Sequence, residues 1–594
     1  MIKKILRLLK SVREYKKYAI IAPIIVGFEV MLEVLIPFVM AKLIDEGINA
    51  SSLEKTYLYG GILFISAMFA LVFGIIAGIA SAKASSGFAK NLRKDLYYKV
   101  QTFSFSNIDK FSTSSIVTRC TTDVSNVQMA FQMLIRVAIR APLMLIFSLI
   151  MAFTINRKIS LIFLVLVPVL ATVVISIGRM AFPVFESVFH KYDELNNVVE
   201  ENVAGVRVVK SYILEDEENA KFKNKSKQIY DLFTKAQKIV SFNQPTMQLC
   251  VYGAIIFISW VGARTIVLSG GTALSTGELT SLITYSIQIL ASVMILSMIL
   301  VMSTIATAAM ERIYEILNEI PELSSPENAI KEVKDGSIEF KNVSFSYVND
   351  KNKEVLKNIN IKINSGETIG IIGGTGDGKS SLVNLIPRLY DVTEGELLVG
   401  GKNVKKYDIE VLRDAVSCVL QQNVLFYGTI KENLRWGNKD ATDEELIEAC
   451  KLAQADSFIQ EFPDKYDTMI AQGGTNVSGG QKQRLCIARA LLKKPKILIL
   501  DDSTSAVDTK TDQHIRNSFN DKIPNTTKII IAQRVASVQE SDKIIVLDNG
   551  NIDGFGTHDE LMRNNKIYQE VYESQTKVGD DNAWERSKTK NNRN

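Results

Sequence analysis

The sequence of 594 residues is poor in cysteine, and its opposite charges almost balance. The five cysteines lie far apart without a C-x-x-C or other metal-ligand spacing, so we expect reduced thiols in packed positions. The net charge of only +5 argues against a nucleic-acid partner bound through overall charge. Apolar residues make up 47% and charged residues 22%, which is too apolar for an ordinary soluble protein and too charged for burial in lipid. The chain therefore combines two unlike halves, and disorder of the whole is excluded.

The first half carries six apolar stretches, each near the roughly 20 residues that cross a bilayer. The first eighteen residues are amphipathic and basic without a signal cleavage site, which predicts an interfacial helix leading into the first span. Basic residues concentrate in this segment and in the long segments 83–132 and 180–246, so the N-terminus and both long loops are expected in the cytoplasm. We predict a multi-pass plasma-membrane domain over residues 1–317, with spans at about 18–40, 58–82, 133–153, 159–177, 247–268 and 279–306.

Ionisable residues inside predicted spans are candidates for function. Glu29 and Glu33 stand four residues apart on one face of the first span, and Arg136 and Arg140 repeat that spacing in the third. One interpretation pairs acids with bases across the bundle, or lets each arginine extend to lipid head groups. The other makes the two glutamates an acidic patch on a central cavity that attracts cationic amphiphiles.

The second half has the pattern of an α/β domain. Residues 318–336 form a predicted linker, interrupted by Pro321 and Pro326. From 337 to 576 short β-branched runs alternate with helical segments, which predicts a mostly parallel sheet. The last residues, 577–594, are polar and are predicted to be a disordered tail.

The strongest motif is a complete G-x-x-x-x-G-K-S/T phosphate loop between an apolar run at 368–372 and a helical segment at 381–389. Its glycines allow backbone N–H groups to converge on phosphates. Lys379 supplies a positive charge to the outer phosphates, and the Ser380 hydroxyl supplies a ligand for Mg²⁺. The ATP-binding candidates here are Gly373, Gly374, Thr375, Gly376, Asp377, Gly378, Lys379, Ser380 and Ser381.

Two further segments belong with the phosphate loop. An apolar run ends in Asp501, a carboxylate suited to the Mg²⁺ shell. Before it lies Val477-Ser-Gly-Gly-Gln481, which opens a helical segment. With these motifs the chain closely resembles an ATP-binding-cassette exporter half-transporter over nearly its whole length, with Val477 in place of Leu in the signature L-S-G-G-Q.

This resemblance implies an all-α six-helix transmembrane domain followed by an α/β P-loop ATPase domain with a helical subdomain. It also implies a head-to-tail dimer in which each ATP lies between one phosphate loop and the signature of the other subunit. Segments near 105–111 and 211–215 would be the coupling helices, and residues 505–508 a loop that crosses to the opposite subunit. The residues assigned by the resemblance are Tyr347 on adenine, Gln421 in the Mg²⁺ shell with Ser380 and Asp501, and the signature residues Ser478, Gly479, Gly480 and Gln481.

The chain departs from the family pattern at the two catalytic positions. Asp502 replaces the usual Glu that polarises the attacking water, and its carboxylate is one methylene shorter. Gln533 replaces the usual switch His, and an amide can donate to phosphate but carries no proton or charge. In addition, Ala471-Gln-Gly473 replaces the family's Gly-Glu-Arg.

These departures favour a degenerate site, which binds ATP and Mg²⁺ but turns ATP over slowly, in a heterodimer whose partner half-transporter carries Glu and His. We expect multidrug-type export of small amphiphilic molecules, cations among them. The alternatives are a homodimeric exporter of lipid or peptide with two slow sites, and a regulatory ATP-gated subunit with little hydrolysis of its own.

Overall fold

A computed structural model describes residues 2–348, 350, 353–502 and 507–575, arranged in two compact units. The first unit comprises the residues up to Thr102 together with Ser112–Glu319. The second comprises Phe103–Phe111 together with the residues from Ile320 onward. The predicted tail, 577–594, lies outside the described residues.

The first unit is helical. Six of its described helical segments are long and apolar enough to cross a membrane, which confirms the predicted fold class of this half. Shorter 3₁₀ or π segments lie at Lys10–Tyr15, Leu43–Asn49 and Arg119–Asp123. The α-helices between residues 2 and 318 are α1 (Ile2–Leu9), α2 (Lys16–Lys42), α3 (Leu53–Gln101), α4 (Phe105–Phe111, in the second unit), α5 (Thr113–Thr118), α6 (Val124–Ile155), α7 (Arg157–Ala204), α8 (Val206–Tyr212), α9 (Glu215–Ser241), α10 (Asn243–Ser269) and α11 (Thr276–Asn318).

Small residues allow α3 to pack closely against its neighbours. Ala77, Ala80 and Ala84 are buried on this helix, as are the hydroxyls of Ser81 and Ser85. Apolar lipid provides little drive for helix association, so close van der Waals packing of small side chains holds such helices together. We therefore attribute the α3 contacts to shape complementarity more than to hydrophobic burial.

Helix α2 contains two prolines, and side-chain hydroxyls of α11 donate hydrogen bonds to backbone carbonyls at and near the second one, Pro37. The Tyr285 hydroxyl donates to the Val34 carbonyl at 2.7 Å, and the Ser281 hydroxyl donates to the Pro37 carbonyl at 2.5 Å. In lipid, backbone groups need partners inside the protein, and neighbouring side chains supply them around a proline. These two bonds connect α2 and α11.

The second unit is built on a six-stranded sheet. In order across the sheet, its strands are β12 (Asn551–Gly556), β11 (Lys543–Asp548), β3 (Thr368–Gly373), β10 (Thr527–Ile531), β9 (Ile497–Asp501) and β6 (Val416–Val419). All neighbouring strands are parallel except the antiparallel edge pair β11 and β12, which confirms the predicted mostly parallel sheet. Strands β9 and β10 are buried throughout, as expected for parallel strands covered on both faces.

An antiparallel sheet that the sequence reading did not predict accompanies the central one. Its order is β2-β1-β4-β5, from β1 (Ile338–Phe345), β2 (Leu356–Ile363), β4 (Glu394–Val399) and β5 (Lys402–Asn403). A short pair, β7 (Gly428–Thr429) and β8 (Met469–Ile470), lies beside the helical subdomain. The helices of this unit are α12 (Lys379–Leu385), α13 (Ile409–Ala415), α14 (Ile430–Leu434), α15 (Asp443–Leu452), α16 (Asp456–Glu461), α17 (Gly479–Leu491), α18 (Thr509–Lys522) and α19 (His558–Asn564).

The helix after the phosphate loop differs from its predicted extent. It begins at Lys379 and its last residue is Leu385, whereas the sequence suggested residues 381–389. Pro387 explains the early end, because a proline has no backbone N–H to continue the helical hydrogen bonds, and Arg388 after it has a φ of +52°. The loop that follows carries Arg388 and Tyr390.

Candidate functional site

The phosphate loop connects the carboxyl end of β3 to the first turn of α12. Gly376 and Gly378 have φ values of +97° and +90°, which other residues rarely adopt. A side chain at Gly378 would also meet the Val355 carbonyl at 3.0 Å. The ammonium of Lys379 donates to the carbonyls of Gly373 and Gly374, at 2.9 and 2.5 Å. The loop is thus a strand–loop–helix turn with its lysine folded back over it.

Asp377 fixes the shape of the same loop. Its carboxylate accepts a hydrogen bond from the Gly374 backbone N–H and a second, at 3.3 Å, from the Asn549 N–H. Asn549 follows β11 and has a φ of +48°, so it sits in a tight turn. The phosphate-loop motif includes Asp377, whereas no motif marks Asn549, because the two are 172 residues apart and only the strand order brings them together.

Ser380 and Asp501 are adjacent, on neighbouring elements. Asp501 ends β9, is 4% exposed and accepts a hydrogen bond from the Ser380 side chain. Burial raises the pKa of Asp501, the bond from Ser380 opposes this rise, and the nearby Asp502 charge adds to it. Gln421 lies two residues beyond β6, which pairs with β9, and its side chain is exposed.

A hydroxyl, a buried carboxylate and an amide oxygen are the hard oxygen ligands that Mg²⁺ prefers. Asp501 is buried and accepts from a neutral hydroxyl, and the nearby charges of Asp502 and Lys379 oppose each other, so a divalent cation would compensate its charge. These residues therefore fit a magnesium ion held together with a phosphate.

Asp502 and Gln533 are bonded to each other. The Gln533 side-chain N–H donates to a carboxylate oxygen of Asp502 at 2.8 Å. Asp502 has a φ of +48°, and its backbone N–H donates to the Ile531 carbonyl at 3.1 Å. Burial raises the pKa of Asp502, while the hydrogen bond from Gln533 and the charge of Lys379 lower it. The two residues at the altered positions thus form a carboxylate–amide pair.

Tyr347 follows β1 and borders the phosphate-loop helix. Its hydroxyl shares a 2.8 Å hydrogen bond with the Ser381 hydroxyl, and its side chain is 46% exposed. The rings of Phe345 and Tyr390 pack against it in edge-to-face geometry, with centroids 4.8 and 5.1 Å away. An exposed aromatic face beside a phosphate loop is a suitable surface for stacking a base. No sequence motif marks Tyr390.

The signature residues form the start of α17. Ser478 is its N-cap: the Ser478 hydroxyl accepts from the Gln481 N–H at 3.2 Å, and the Gln481 side chain accepts from the Ser478 N–H at 2.9 Å. Ser478 and Gly479 are exposed, so the free N–H groups of this helix end can face an anion. In the described part of the chain no hydrogen bond joins Ser478–Gln481 to residues 373–381. Of the predicted crossing loop, Ser505 and Ala506 lie outside the described residues, and Asp508 caps α18 through the Thr511 N–H.

The charged residues of the spans are paired. One guanidinium, that of Arg140 on α6, contacts Glu29 at 2.6 Å and both oxygens of Glu33 at 2.7 and 2.8 Å. Of the two interpretations of these charged residues, the structure therefore shows the one in which acids and a base pair across the helix bundle. The trio still carries two acids for one base, and the second oxygen of Glu29 is buried without a hydrogen-bond partner among the described residues.

The neighbouring glycines of α3 make room for these charges. A side chain at Gly74 would lie 3.2 Å from the Glu29 carboxylate, and one at Gly78 would lie 3.5 Å from the guanidinium of Arg136. Arg136 forms no ion pair within the described ranges. The glycine pair thus repeats the four-residue spacing of the charged pairs.

Comparisons with known proteins agree with this geometry. The model of the ABC transporter transmembrane region matches residues 19–293, and the ABC transporter model matches residues 356–505. YfiB, an uncharacterized ABC transporter ATP-binding protein of Bacillus subtilis, is 34% identical over 96% of this chain and 98% of its own. YfiC of the same organism, described in the same words, is 31% identical over 96% and 94%. Rv1273c of Mycobacterium tuberculosis, also uncharacterized, is 32% identical over 96% and 97%.

Proposed function

Because this chain belongs to the ABC transporter family, as an exporter half-transporter with fused membrane and ATP-binding domains, we propose that it is the slow-hydrolysing half of a heterodimeric exporter. Its own phosphate loop binds ATP with Mg²⁺ and hydrolyses it slowly. Its signature completes the active site of a partner half-transporter that carries Glu and His at the altered positions. The complex moves small amphiphilic molecules out of the cell.

The observation that carries this proposal is the bond between Gln533 and Asp502, in a site whose other parts are present. The carboxylate that would polarise the attacking water is one methylene short, and one of its oxygens already accepts an amide N–H. Geometry comes first for a general base, which has to reach the water within hydrogen-bond distance. Retained binding is supported by the Lys379 contacts within the phosphate loop and by the bond from Ser380 to Asp501.

Each residue of the site has a part in this function. ATP would stack its base on Tyr347 and place its phosphates on the backbone N–H groups of the phosphate loop, with Lys379 on the outer phosphates. Magnesium, when bound, neutralises the charge of the phosphates and is held by Ser380, Asp501 and Gln421. Because Gln533 is neutral, it can donate to a phosphate but cannot carry charge.

The proposed heterodimer follows from the contrast between the altered catalytic positions, Asp502 and Gln533, and the retained signature at Ser478–Gln481. Ser478 caps α17, and Ser478 and Gly479 are exposed, which supports a signature surface able to receive the partner's nucleotide. A homodimer would contain two slow sites and no fast one. Fast export therefore needs a second, different chain.

The proposed orientation of the chain in the membrane rests on the charge pattern, whereas export rather than import rests on the fused exporter-type spans. We place the N-terminus, the long loops and the ATP-binding domain in the cytoplasm of a plasma-membrane protein, since basic residues concentrate in those segments. The substrate class is supported by the Glu29–Arg140–Glu33 trio, whose excess acid would favour amphiphiles with a positive charge.

Affinity purification of the tagged chain from its native membranes tests the heterodimer. We expect a second half-transporter of similar length with Glu and His at the two altered positions. Co-purification of two differently tagged copies of this chain, without such a partner, would instead support the homodimer.

Transport by the purified complex separates the pump from the regulatory alternative. In proteoliposomes, uptake of an amphiphilic cationic dye into inside-out vesicles should require hydrolysable ATP and stop with a non-hydrolysable analogue. Lys379→Ala in this chain is the control for nucleotide binding at its own site. A conductance that persists with the analogue would favour the ATP-gated subunit.

A further inference from the structure

The side chain of Gln575 holds the loop that carries Gln533. Its amide N–H donates to the Gln533 backbone carbonyl at 2.8 Å, and its amide oxygen accepts from the Val535 backbone N–H, also at 2.8 Å. Val535 is 1% exposed, and a buried backbone N–H needs a hydrogen-bond partner, which Gln575 supplies. One side-chain amide therefore fixes the backbone on both sides of Arg534.

Gln575 is itself held in place by the core of the second unit. It is the last described residue of a helical segment that begins at residue 566. Tyr568 of this segment is fully buried, and its hydroxyl shares a 2.7 Å hydrogen bond with Nδ1 of His558. Tyr568 and Val535 belong to the same apolar cluster. Because interiors are closely packed, this cluster sets the position of the helical segment relative to the loop.

The loop held by Gln575 leads to Asp502. At its start, the Ala532 backbone N–H donates to the Ile371 carbonyl at 3.3 Å, so the sheet fixes this end. Gln533 follows, and its side chain donates to the Asp502 carboxylate at 2.8 Å. The rotamers open to a side chain depend on its backbone conformation. With the sheet on one side of it and Gln575 on the other, the Gln533 amide is therefore directed at Asp502.

We propose that Gln575 is a positioning residue that keeps the Gln533 amide on the Asp502 carboxylate and so keeps hydrolysis at this site slow. Without Gln575, the Gln533 carbonyl can turn to water and the side chain can leave Asp502. The carboxylate oxygen that now accepts the amide N–H is then free to accept from the attacking water, as a general base must. The C-terminal end of the cassette thus sets the hydrolysis rate. This inference rests on the proposed slow hydrolysis by this chain.

ATP hydrolysis by the purified heterodimer in nanodiscs tests this role, with the catalytic Glu of the partner replaced by Gln so that only this chain's site is measured. Gln575→Ala removes both bonds to the loop. We expect kcat to rise at least about threefold, the change in rate that loss of one ordinary hydrogen bond can produce. The KM for ATP should stay within about twofold of wild type, because the Lys379 and Ser380 contacts are untouched. A merely structural defect would instead lower kcat.

Two further measurements keep the test independent of one variant. Gln575→Asn has an amide that is one methylene shorter and cannot bridge both backbone groups, so its kcat should also rise. Hydrogen–deuterium exchange of the full-length Gln575→Ala chain should become faster in peptides covering residues 532–536. Exchange in peptides covering the phosphate loop, 373–381, should equal that of the wild type.

Gln569→Ala is a matched control. The Gln569 amide, in the same helical segment, donates to the Met562 carbonyl at 2.7 Å, so this variant removes an amide–carbonyl bond that does not reach the loop. Its kcat should equal that of the wild type. In a Gln533→Ala background, Gln575→Ala should add no further change, because Gln575 acts through the Gln533 amide and the two effects are not additive.

Either of two results refutes the role of Gln575 alone. One is a kcat in Gln575→Ala no higher than in Gln569→Ala, at a wild-type site that is slow. The other is the same rise in kcat when Gln533 is already Ala. A different outcome is a wild-type site as fast as the double variant Asp502→Glu with Gln533→His, which refutes the proposed slow site and this inference with it.

Discussion

Restoring Glu and His at the two altered positions should convert the slow site into a fast one. Asp502→Glu adds the missing methylene, and Gln533→His removes the amide that now donates to the carboxylate at 2.8 Å. The double variant leaves the Ser380–Asp501 pair and the Lys379 contacts untouched. The structure therefore assigns its effect to hydrolysis rather than to nucleotide binding.

The expected size of the effect follows from the geometry. One methylene moves the carboxylate by ~1.5 Å, and misplacement by ~1 Å can cost about 100-fold in rate. A factor of 100 corresponds to about 2.7 kcal/mol of barrier. Asp502→Glu alone should gain less in hydrolysis rate, since Gln533 can still donate a hydrogen bond to the longer carboxylate and hold it away from the attacking water. Breaking that hydrogen bond would cost roughly 1–3 kcal/mol.

The assay is ATP hydrolysis by the purified heterodimer in nanodiscs, with the catalytic Glu of the partner replaced by Gln so that only this chain's site is measured, and with ATP affinity measured separately. We expect kcat to rise at least tenfold and up to about 100-fold, with the affinity for ATP almost unchanged. Asp521 and Gln539, two exposed residues outside the ATP site, offer a matched control. The double variant Asp521→Glu with Gln539→His makes the same two exchanges away from that site. Fast hydrolysis by the wild-type chain, abolished by Asp502→Asn, would refute the reasoning, as would a repaired variant no faster than its control.

Three other outcomes follow from the structure. Tyr347→Ala should weaken ATP binding by about 5- to 150-fold, because base–aromatic stacking contributes about 1–3 kcal/mol. Tyr347→Phe should bind almost normally in an equilibrium titration. Ser478→Ala removes a helix cap worth about 1 kcal/mol and should lower hydrolysis at the partner's site while ATP binding to this chain is retained. The double variant Glu29→Gln with Glu33→Gln leaves Arg140 without its two acidic partners and should reduce the uptake of cationic dyes into vesicles. An equal loss of uptake for neutral compounds would contradict a charge-selective role.

Local patterns were sufficient to predict the main architecture. The six spans are long apolar runs, and the phosphate loop joins a strand to a helix as its motif requires. Buried parallel strands such as β9 and β10 read as continuous apolar runs, which is why the central sheet could be predicted.

Features that depend on distant contacts could not be predicted in this way. Strand β1 has register shifts between Phe340 and Val343, which break the alternation that identifies a half-buried strand. Tyr390 and Asp109 are 281 residues apart, so no local pattern connects them. The left-handed conformation of Asp502 likewise depends on its bond to the Ile531 carbonyl across the sheet. Charge spacing indicated the Glu29–Glu33 pair, but not that one arginine serves both acids.

The fate of the γ-phosphate on each chain tests the central claim most directly. The heterodimer is allowed to turn over 8-azido-ATP labelled on either the α- or the γ-phosphate, and is then photo-crosslinked so that each subunit retains its own nucleotide. We predict that this chain keeps both labels after many turnovers, while the partner keeps the α label and loses the γ label. Loss of the γ label from this chain at the partner's rate would contradict the account.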